Sequence, residues 1–397
     1  MIEVKGKYNA AKVYTECVDS ATLDQVRDFA NMKYLDGQKI RIMPDCHAGK
    51  GVCIGFTSTF KDKLDPATVG CDIGCGMLVN ELGKIDIDFE KLDQVIRKYV
   101  PNGKGKIHDH YALAKISPDL AIQLRKDLMS MKAKVEIDKN LYSIGTLGQG
   151  NHFLEIDEDD EGNKYLVIHT GSRHLGIEVE KYYSKIAKTT DNHNSRKELV
   201  EKLKAEHREK DIQKELAKIE DEPKEVYIAG EDLKNYLHDM EIAQRFASLN
   251  RSTIGFTICE KMGWRAESVW TTMHNYIDIE NKIIRKGAIS CAEGEKVIIP
   301  MNMRDGSLIC RGKGNPDTNY SGPHGAGRLY SRAKAKEIFT VENFKNTMEG
   351  IWTSCISDST LDESPMAYKD MSSIIENIQP MAEVIKIIKP IYNFKAN

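Results

Sequence analysis

The chain has 397 residues, 41% of them hydrophobic, with a formal net charge of −3. That is enough apolar material for a substantial core; the charge excludes a generally basic nucleic-acid binder, and 29 glycines with 11 prolines exclude collagen-like or low-complexity chains. Nine scattered cysteines, a start ("MIEVKGKYNAAKVY") with no apolar signal region, and no apolar run of roughly 18 residues point to a reducing, cytoplasmic setting without a membrane segment, where cysteines are free to act as ligands.

In chain order, "MPDCHAGKG" (43–51) contains no phosphate loop, because Gly51 follows Lys50 where Ser or Thr is required. "VGCDIGCGM" (69–77) places Asp72 and Cys75 three apart in a turn loosened by glycines, so both side chains can reach one ion, and a thiolate can bridge two. "LGQGNHFLEI" (147–156) carries Asn151, His152 and Glu155, and Phe153 stands where a dinucleotide fingerprint needs its third glycine. "KYLVIHTGSRHLG" predicts a strand ending at His169 and a polar loop, followed by a helix over "IEVEKYYSKIAK". Gly171, Ser172 and Arg173 then lie near a helix N-terminus, a good place for an anion.

From Ser195 to Glu225 the sequence predicts a charged helical insertion (195–225) ended by Pro223. Helices are expected at "EDLKNYLHDMEIAQRFASLNRSTIGFTICEKMG" and "GRLYSRAKAKEIF", and "TTMHNYIDIE" supplies His274 beside Asn275. "KVIIPMNM" and "SLICRGKG" flank Asp305-Gly306, a hairpin signal. Strict strand–helix alternation is missing, and polar residues suited to chemistry run from position 45 to 324. The expectation is an α+β fold: one interlaced domain over 1–397, with mixed or mostly antiparallel sheets around a single central metal cleft.

A lone cysteine in a turn is usually a buried thiol, and a lone strand-end histidine is usually a hydrogen-bonded core residue. One Asp, one Cys and three His together would complete two adjacent metal sites if Cys75 is shared. Ligand softness puts zinc first, while the carboxylate and open positions also admit manganese. Two ions about 3.5–4 Å apart suit in-line phosphoryl displacement. In "NPDTNYSGPHGAGRLYSR", His324 stands among small residues that leave room for a bulky group. A neutral imidazole can attack phosphorus, and the N–H groups of Gly325 and Gly327, with Arg328, are candidates to hold a phosphate; the plainer alternative is a ring that caps the following helix. Seven Lys/Arg against two acids between Arg304 and Lys336 suit phosphates or a solvated face.

"MPDCHAGKG", "VGCDIGCGM", "GQGNHFLEI", "IHTGSRHLG", "HNY", "RGKGNP" and "SGPHGAGRLYSR", in this order over essentially the whole chain, resemble the RtcB-type RNA ligases. The resemblance implies GTP- and Mn²⁺-dependent joining of an RNA 3′-phosphate or 2′,3′-cyclic phosphate to a 5′-hydroxyl through a guanylyl-histidine, in RNA repair or tRNA splicing, with broken tRNA or rRNA as partner. It implies His324 as the nucleophile and Asp45 as the carboxylate that orients it. Asp72, Cys75 and His152 resemble the ligands of one metal, and Cys75, His169 and His274 those of the second. Guanylate contacts fall on Asn151, His152, Phe153, Leu154 and Glu155, and on His274 and Asn275. Others are Pro300, Met301, Asn302, Met303 and Ser307, then His324, Gly325, Ala326 and Gly327, and finally Lys395. Arg173 resembles a phosphate-binding arginine, and Arg328 and Arg332 are expected to meet phosphate. His174 departs from the glycine of many relatives. The alternatives are a dinuclear-metal RNA phosphoesterase that needs no nucleotide, and a non-catalytic RNA-binding paralogue.

Overall fold

The segments "GMLVNELG" and "KYLVIHT" are apolar runs with little alternation, the pattern of strands covered on both faces. In the computed structural model they are neighbours, Gly76–Gly83 and Lys164–Thr170, in an eight-stranded sheet. The structure describes residues 1–103, 105–109, 116–190, 192–206, 208–216 and 225–395, with the backbone alone for 188–190 and 192–198.

The eight-stranded sheet runs Ser268–Met273, Gly76–Gly83, Lys164–Thr170, Phe153–Glu158, Ala382–Lys395, Gly306–Gly312, Lys296–Asn302, with Trp352–Thr353 added beside the long strand. It curls until its two edges meet: Thr272 on one edge strand accepts the backbone N–H of Ile298 on the other, at 3.3 Å. Met77, Val79, Val167, Ile298, Ile309 and Ile388 fill the inside of the curl. Leu78, Leu154, Ile156, Leu166 and Ile168 point the other way, onto Ile254 and Ile258 of a helix.

That helix is the 33-residue Gly230–Met262, roughly 50 Å long at 1.5 Å per residue. Tyr236, Met240, Ala243, Ala247, Asn250, Ile254 and Ile258 recur at three- and four-residue spacing and form its buried face. Glu231 and Asp232 suit its positive end, and Gly263, left-handed at φ 75°, ends it. Gly255 lets the helix sit on the sheet, since a Cβ there would meet Leu78 at 2.9 Å.

A second sheet of six strands runs Ile2–Lys5, Ala10–Val13, Ile40–His47, Ile54–Thr59, Ile283–Lys286, Asn275–Asp278. Ala288–Ser290 and Ser321–Pro323 form a short ribbon. Pairing is antiparallel except between Ala10–Val13 and Ile40–His47 and where Trp352–Thr353 joins Ala382–Lys395, so the expected mixed, mostly antiparallel α+β architecture is found. Each large sheet draws strands from distant parts of the chain. The site therefore collects at strand ends. Cys75 precedes Gly76, His152 precedes Phe153, His274 follows Met273 and His324 follows Pro323. Gly76 pairs with Met273 and Thr170, and Phe153 with His169 and Lys395, so these ends form one row across the curled sheet.

Two local expectations are corrected. The hairpin loop is Met303–Asp305, closed by an Asn302–Gly306 pair, one residue longer than a two-residue turn. Gly306 (φ 85°) is required there, as a Cβ would lie 2.0 Å from the Ile388 carbonyl. The helix expected over "GRLYSRAKAKEIF" starts only at Arg332, capped by Ser331. Residues before it are held out of helix: Gly327 (φ 75°) packs on the Asp45 backbone and Arg328 bridges to Tyr368. His324 therefore does not cap that helix. In the charged insertion, helices Asn192–Ala205 and Ile212–Leu216 are found, while Pro223 lies outside the described residues. Among the described residues, no helix is long and apolar enough to cross a membrane.

Candidate active site and metal centre

Cys75 is fully buried, and its sulfur lies 3.6 Å from His152 Nε2 and 3.3 Å from His169 Nε2. His152 Nε2 is 3.2 Å from Asp72 Oδ2, and His169 Nε2 is 3.3 Å from His274 Nε2. Two groups of possible ligands result, Asp72–Cys75–His152 and Cys75–His169–His274, each with its donor atoms within 4.8 Å of one another and sharing Cys75.

The tautomers of two rings are set by the backbone. His152 Nδ1 is 2.9 Å from the Leu147 carbonyl and His169 Nδ1 is 3.0 Å from that of Asn151. A carbonyl only accepts, so each Nδ1 carries the proton and each Nε2 turns a lone pair inward. His274 has no such anchor, and its Nδ1 is buried without a partner. Lone pairs thus face a thiol and a carboxylate, a donor set that fits a cation and fits little else.

The electrostatics agree. Burial, then Asp72, pushes the Cys75 thiol well above its ordinary range, so the sulfur keeps its proton until a cation displaces it. Burial, then His152, pushes His169 down to about 3, and burial with His324 and His169 pushes His274 well below its ordinary range. These rings are neutral, as ligands must be. A third group, Glu136, His174 and Glu178, also brings donors together. There Lys139 Nζ lies 3.0 Å from Glu136 and 3.4 Å from His174 Nε2, so an ammonium already holds the place of a cation. That is where the structure puts His174.

The loops are pinned from below by the long helix. Asn250 Oδ1 accepts from the N–H groups of Gly145 and Thr146, and its Nδ2 donates to the carbonyls of Thr146 and Gly171. Arg251, with no exposed surface, donates to the carbonyls of Gly74 (2.6 Å) and Thr170 (2.9 Å), each next to a ligand. Arg173, at φ 59°, turns back toward Asp72 and Cys75, its guanidinium lying where any Cβ on Gly148 would be.

His324 stands beside this centre. Its ring lies 4.9 Å from that of His274, and its Nδ1 is 2.6 Å from Asp45 Oδ2. Asp45 is completely buried, and the same oxygen accepts the N–H groups of His324 and Gly325. Gly325 thus spends its N–H on Asp45. With Nδ1 committed to a carboxylate, Nε2 of His324 bears the lone pair.

The ring opens into a cavity of about 260 Å³. Asn151, Phe153, Glu155, His274, Asn275 and Gly325–Gly327 line it, as do Pro300–Met303, Arg328, Arg332 and Lys395. His152, Leu154 and Ser307 do not; the His152 ring turns to Asp72 and Cys75 instead. The side chain of Leu154 points into the core, as strand alternation requires, and Ser307 Oγ is buried without a partner. The arginines face the cavity already paired. Arg332 Nη1 is 2.7 Å and Arg328 Nη1 3.5 Å from Glu363 Oε1, and Lys395 Nζ is 2.8 Å from its Oε2. Burial alone would raise the Glu363 carboxyl, but Lys395 and Arg332 hold it at about 2.

Several lining residues escaped sequence reasoning. His47 sits two residues after Asp45 on the same strand, past an irregular stretch in its pairing. Glu363, Tyr368 and Asn393 carry no motif; Arg251, which lies under the site and not on the cavity wall, reads as one more charge on a helix.

A family model described as "tRNA-splicing ligase RtcB" matches residues 25–396. The chain is 30% identical over 407 residues to the RNA-splicing ligase RtcB of Escherichia coli strain K12, covering 94% of both chains. It is 28% identical to the tRNA-splicing ligase RtcB of Methanococcus maripaludis (92% of this chain, 90% of that one) and 25% identical to the RNA-splicing ligase RtcB2 of Escherichia coli strain ATCC 25922 (95% and 93%).

Two expectations follow. A Cβ on Gly171 would lie 2.3 Å from Asp72 Oδ1, so Gly171→Ala should weaken binding of a divalent cation at this cluster, measured by calorimetry, by roughly 10–100-fold. Unchanged affinity would remove Asp72 from the centre. Glu363 has a folded pKa near 2, below the ordinary value of about 4.3, so the unfolded chain takes up this proton first on acidification. Its contribution is complete above about pH 4.3 and is lost toward pH 2, at no more than about 1.4 kcal/mol per pH unit. Denaturant unfolding between pH 5 and 3 should therefore show a shallower pH slope in Glu363→Gln, and an identical slope would contradict the assignment.

Proposed function

The chain belongs to the RtcB family, and from that premise we propose that it is an RNA ligase joining a 3′-phosphate or 2′,3′-cyclic phosphate end to a 5′-hydroxyl end, with GTP as the activating nucleotide and His324 as the nucleophile. One observation carries this reading: a buried carboxylate fixes Nδ1 of His324 while the ring lies tilted at 60° against that of a candidate metal ligand, His274.

In the first step Nε2 of His324 attacks the α-phosphorus of GTP. A nitrogen–phosphorus bond forms and pyrophosphate leaves with the bonding electrons. Asp45 keeps Nδ1 protonated and offsets the positive charge that develops on the ring, as an orienting carboxylate does for an imidazole. In the second step an oxygen of the RNA 3′-phosphate takes the guanylyl group, and the electron pair returns to Nε2. In the third the 5′-hydroxyl attacks the activated phosphate and GMP departs. A cyclic phosphate is first opened by hydrolysis.

Asp72, Cys75 and His152 would hold one cation and Cys75, His169 and His274 a second; Mn²⁺ in these places would supply charge neutralisation for phosphate oxygens. Arg173 faces the first of these groups and is placed for a phosphate. At the far end of the cavity the chemistry suits guanine. Phe153 and Tyr368 give aromatic walls, and Lys395 lies 5.2 Å from the Phe153 ring. Burial raises the Glu155 carboxyl, while hydrogen bonds from Asp157 and Asn393 and the charge of Lys395 favour its carboxylate form. It can accept from the guanine N1–H and amino group, where adenine would present a lone pair. The substrate is RNA with broken ends, such as cleaved tRNA or rRNA, and the whole length 1–397 acts as one ligase domain with 195–225 as its helical insertion.

Incubating the protein with Mn²⁺ and [α-³²P]GTP should give an acid-labile labelled adduct that His324→Ala does not form. An undiminished adduct in that variant would remove His324 from the role.

A further inference from the structure

His47 is unused by the three steps above. It ends the strand Ile40–His47, two residues beyond Asp45, past an irregular stretch in the pairing that lies between Ile42 and His47. Asp45 fixes the nucleophile and His47 lines the cavity. The ring is half-buried, and its Nδ1 lies 3.1 Å from the Asp45 carbonyl. That carbonyl can only accept, so Nδ1 holds the proton and Nε2 has the lone pair. Among the described residues no hydrogen bond engages Nε2, nor is it a buried orphan, so it is open to an incoming group. Asp45, His324 and Lys369 are the ionisable groups that face this ring, and Lys369 is turned to the carbonyls of Cys17, Pro44 and Cys46. Burial, its first cause, lowers the His47 pKa and keeps the ring neutral at pH 7.

A neutral imidazole with a free acceptor nitrogen repels phosphate oxygens and accepts from a hydroxyl. The position along the cavity says which hydroxyl. His47 pairs with Ile54, and the Ile54 side chain and His324 Cε1 crowd together over Gly287. On the ligase reading His324 marks the phosphorus end, whereas Glu155 and Asn393 are register partners on a strand pair that His47 does not join. We propose that His47 is the general base of the joining step, with Nε2 receiving the proton of the RNA 5′-hydroxyl. The O–H bond breaks toward Nε2 as the O5′–phosphorus bond forms. The phosphorus–oxygen bond to GMP breaks and its electrons leave on GMP, and the imidazolium then returns its proton to water.

The inference rests on the ligase reading, so its test isolates the last step. RNA already capped at its 3′-phosphate with guanylate is mixed with a 5′-hydroxyl acceptor RNA and Mn²⁺, and single-turnover joining is followed alongside labelling by GTP. His47→Ala and His47→Gln should slow joining by about 10²-fold or more, the scale of general-base catalysis. Labelling should fall at least tenfold less than joining. An acceptor bearing a 5′-thiol, which ionises without help, should recover most of the lost rate, and a merely structural role would not produce that recovery. Normal joining by both variants, an equal loss in both steps, a loss confined to labelling (as for a contact to the GTP ribose), or no recovery with the thiol would each overturn the role. If the wild-type protein joins nothing from capped RNA, the ligase reading fails, and the role of His47 falls with it.

Discussion

The costliest feature of this molecule is a buried cluster of acceptors with a single thiol proton among them. Cys75, Asp72, His152, His169 and His274 crowd into one buried space, and two of the rings are forced by backbone carbonyls to point lone pairs inward. Without a cation such a site leaves polar atoms unpaired in low dielectric, at about 1–3 kcal/mol for each neutral group. With one, the same atoms become ligands. The cluster makes physical sense as a place for positive charge, and the rest of the fold can be read as the apparatus that keeps it from relaxing.

That apparatus has two parts. The curled sheet delivers the ligands, because Met273, Gly76 and Thr170 stand in one paired row and Phe153 pairs with His169 beside it, and pairing leaves little freedom to the residues just beyond it. The long helix then fixes the loops. Arg251 remains a cation, pushed down only to about 10 by burial, and its Nη1 is held by carbonyls beside the ligands instead of by a carboxylate, with Nε left unpaired. A buried arginine held in this way would be destabilising if those loops moved, so its solvation ties their position to the stability of the fold. Glycines supply the close approaches: at 74 a Cβ would meet Ala247 at 2.7 Å, and at 171 it would meet Asp72 itself.

Much of the site was legible in the sequence because its chemistry is local. Asp72 and Cys75 share one glycine turn, the histidines sit at strand ends, and His324 lies in a clearing of small residues. The split of these residues into two groups is a matter of three dimensions, and in the sequence it rested on family resemblance alone. Other features depend on contacts between distant segments. Arg251 is one charge on a helix that also carries Glu260 and Lys261, and no periodicity marks it as buried. Glu363 and Tyr368 lie in short turns without pattern, yet they gather Arg328, Arg332 and Lys395. The helix expected from Gly327 onward fails for a tertiary reason: the backbone there is docked on Asp45 and on Tyr368, and docking outweighs propensity.

The central claim is that one sulfur joins two cation positions beside the His324 ring. It is tested most directly by titrating metal-free protein with Mn²⁺ while recording its electron paramagnetic resonance. Two ions per chain with a spin-coupled spectrum are expected, and Cys75→Ala should abolish the coupling. A single ion, or two ions with independent spectra in the wild-type protein, would contradict it.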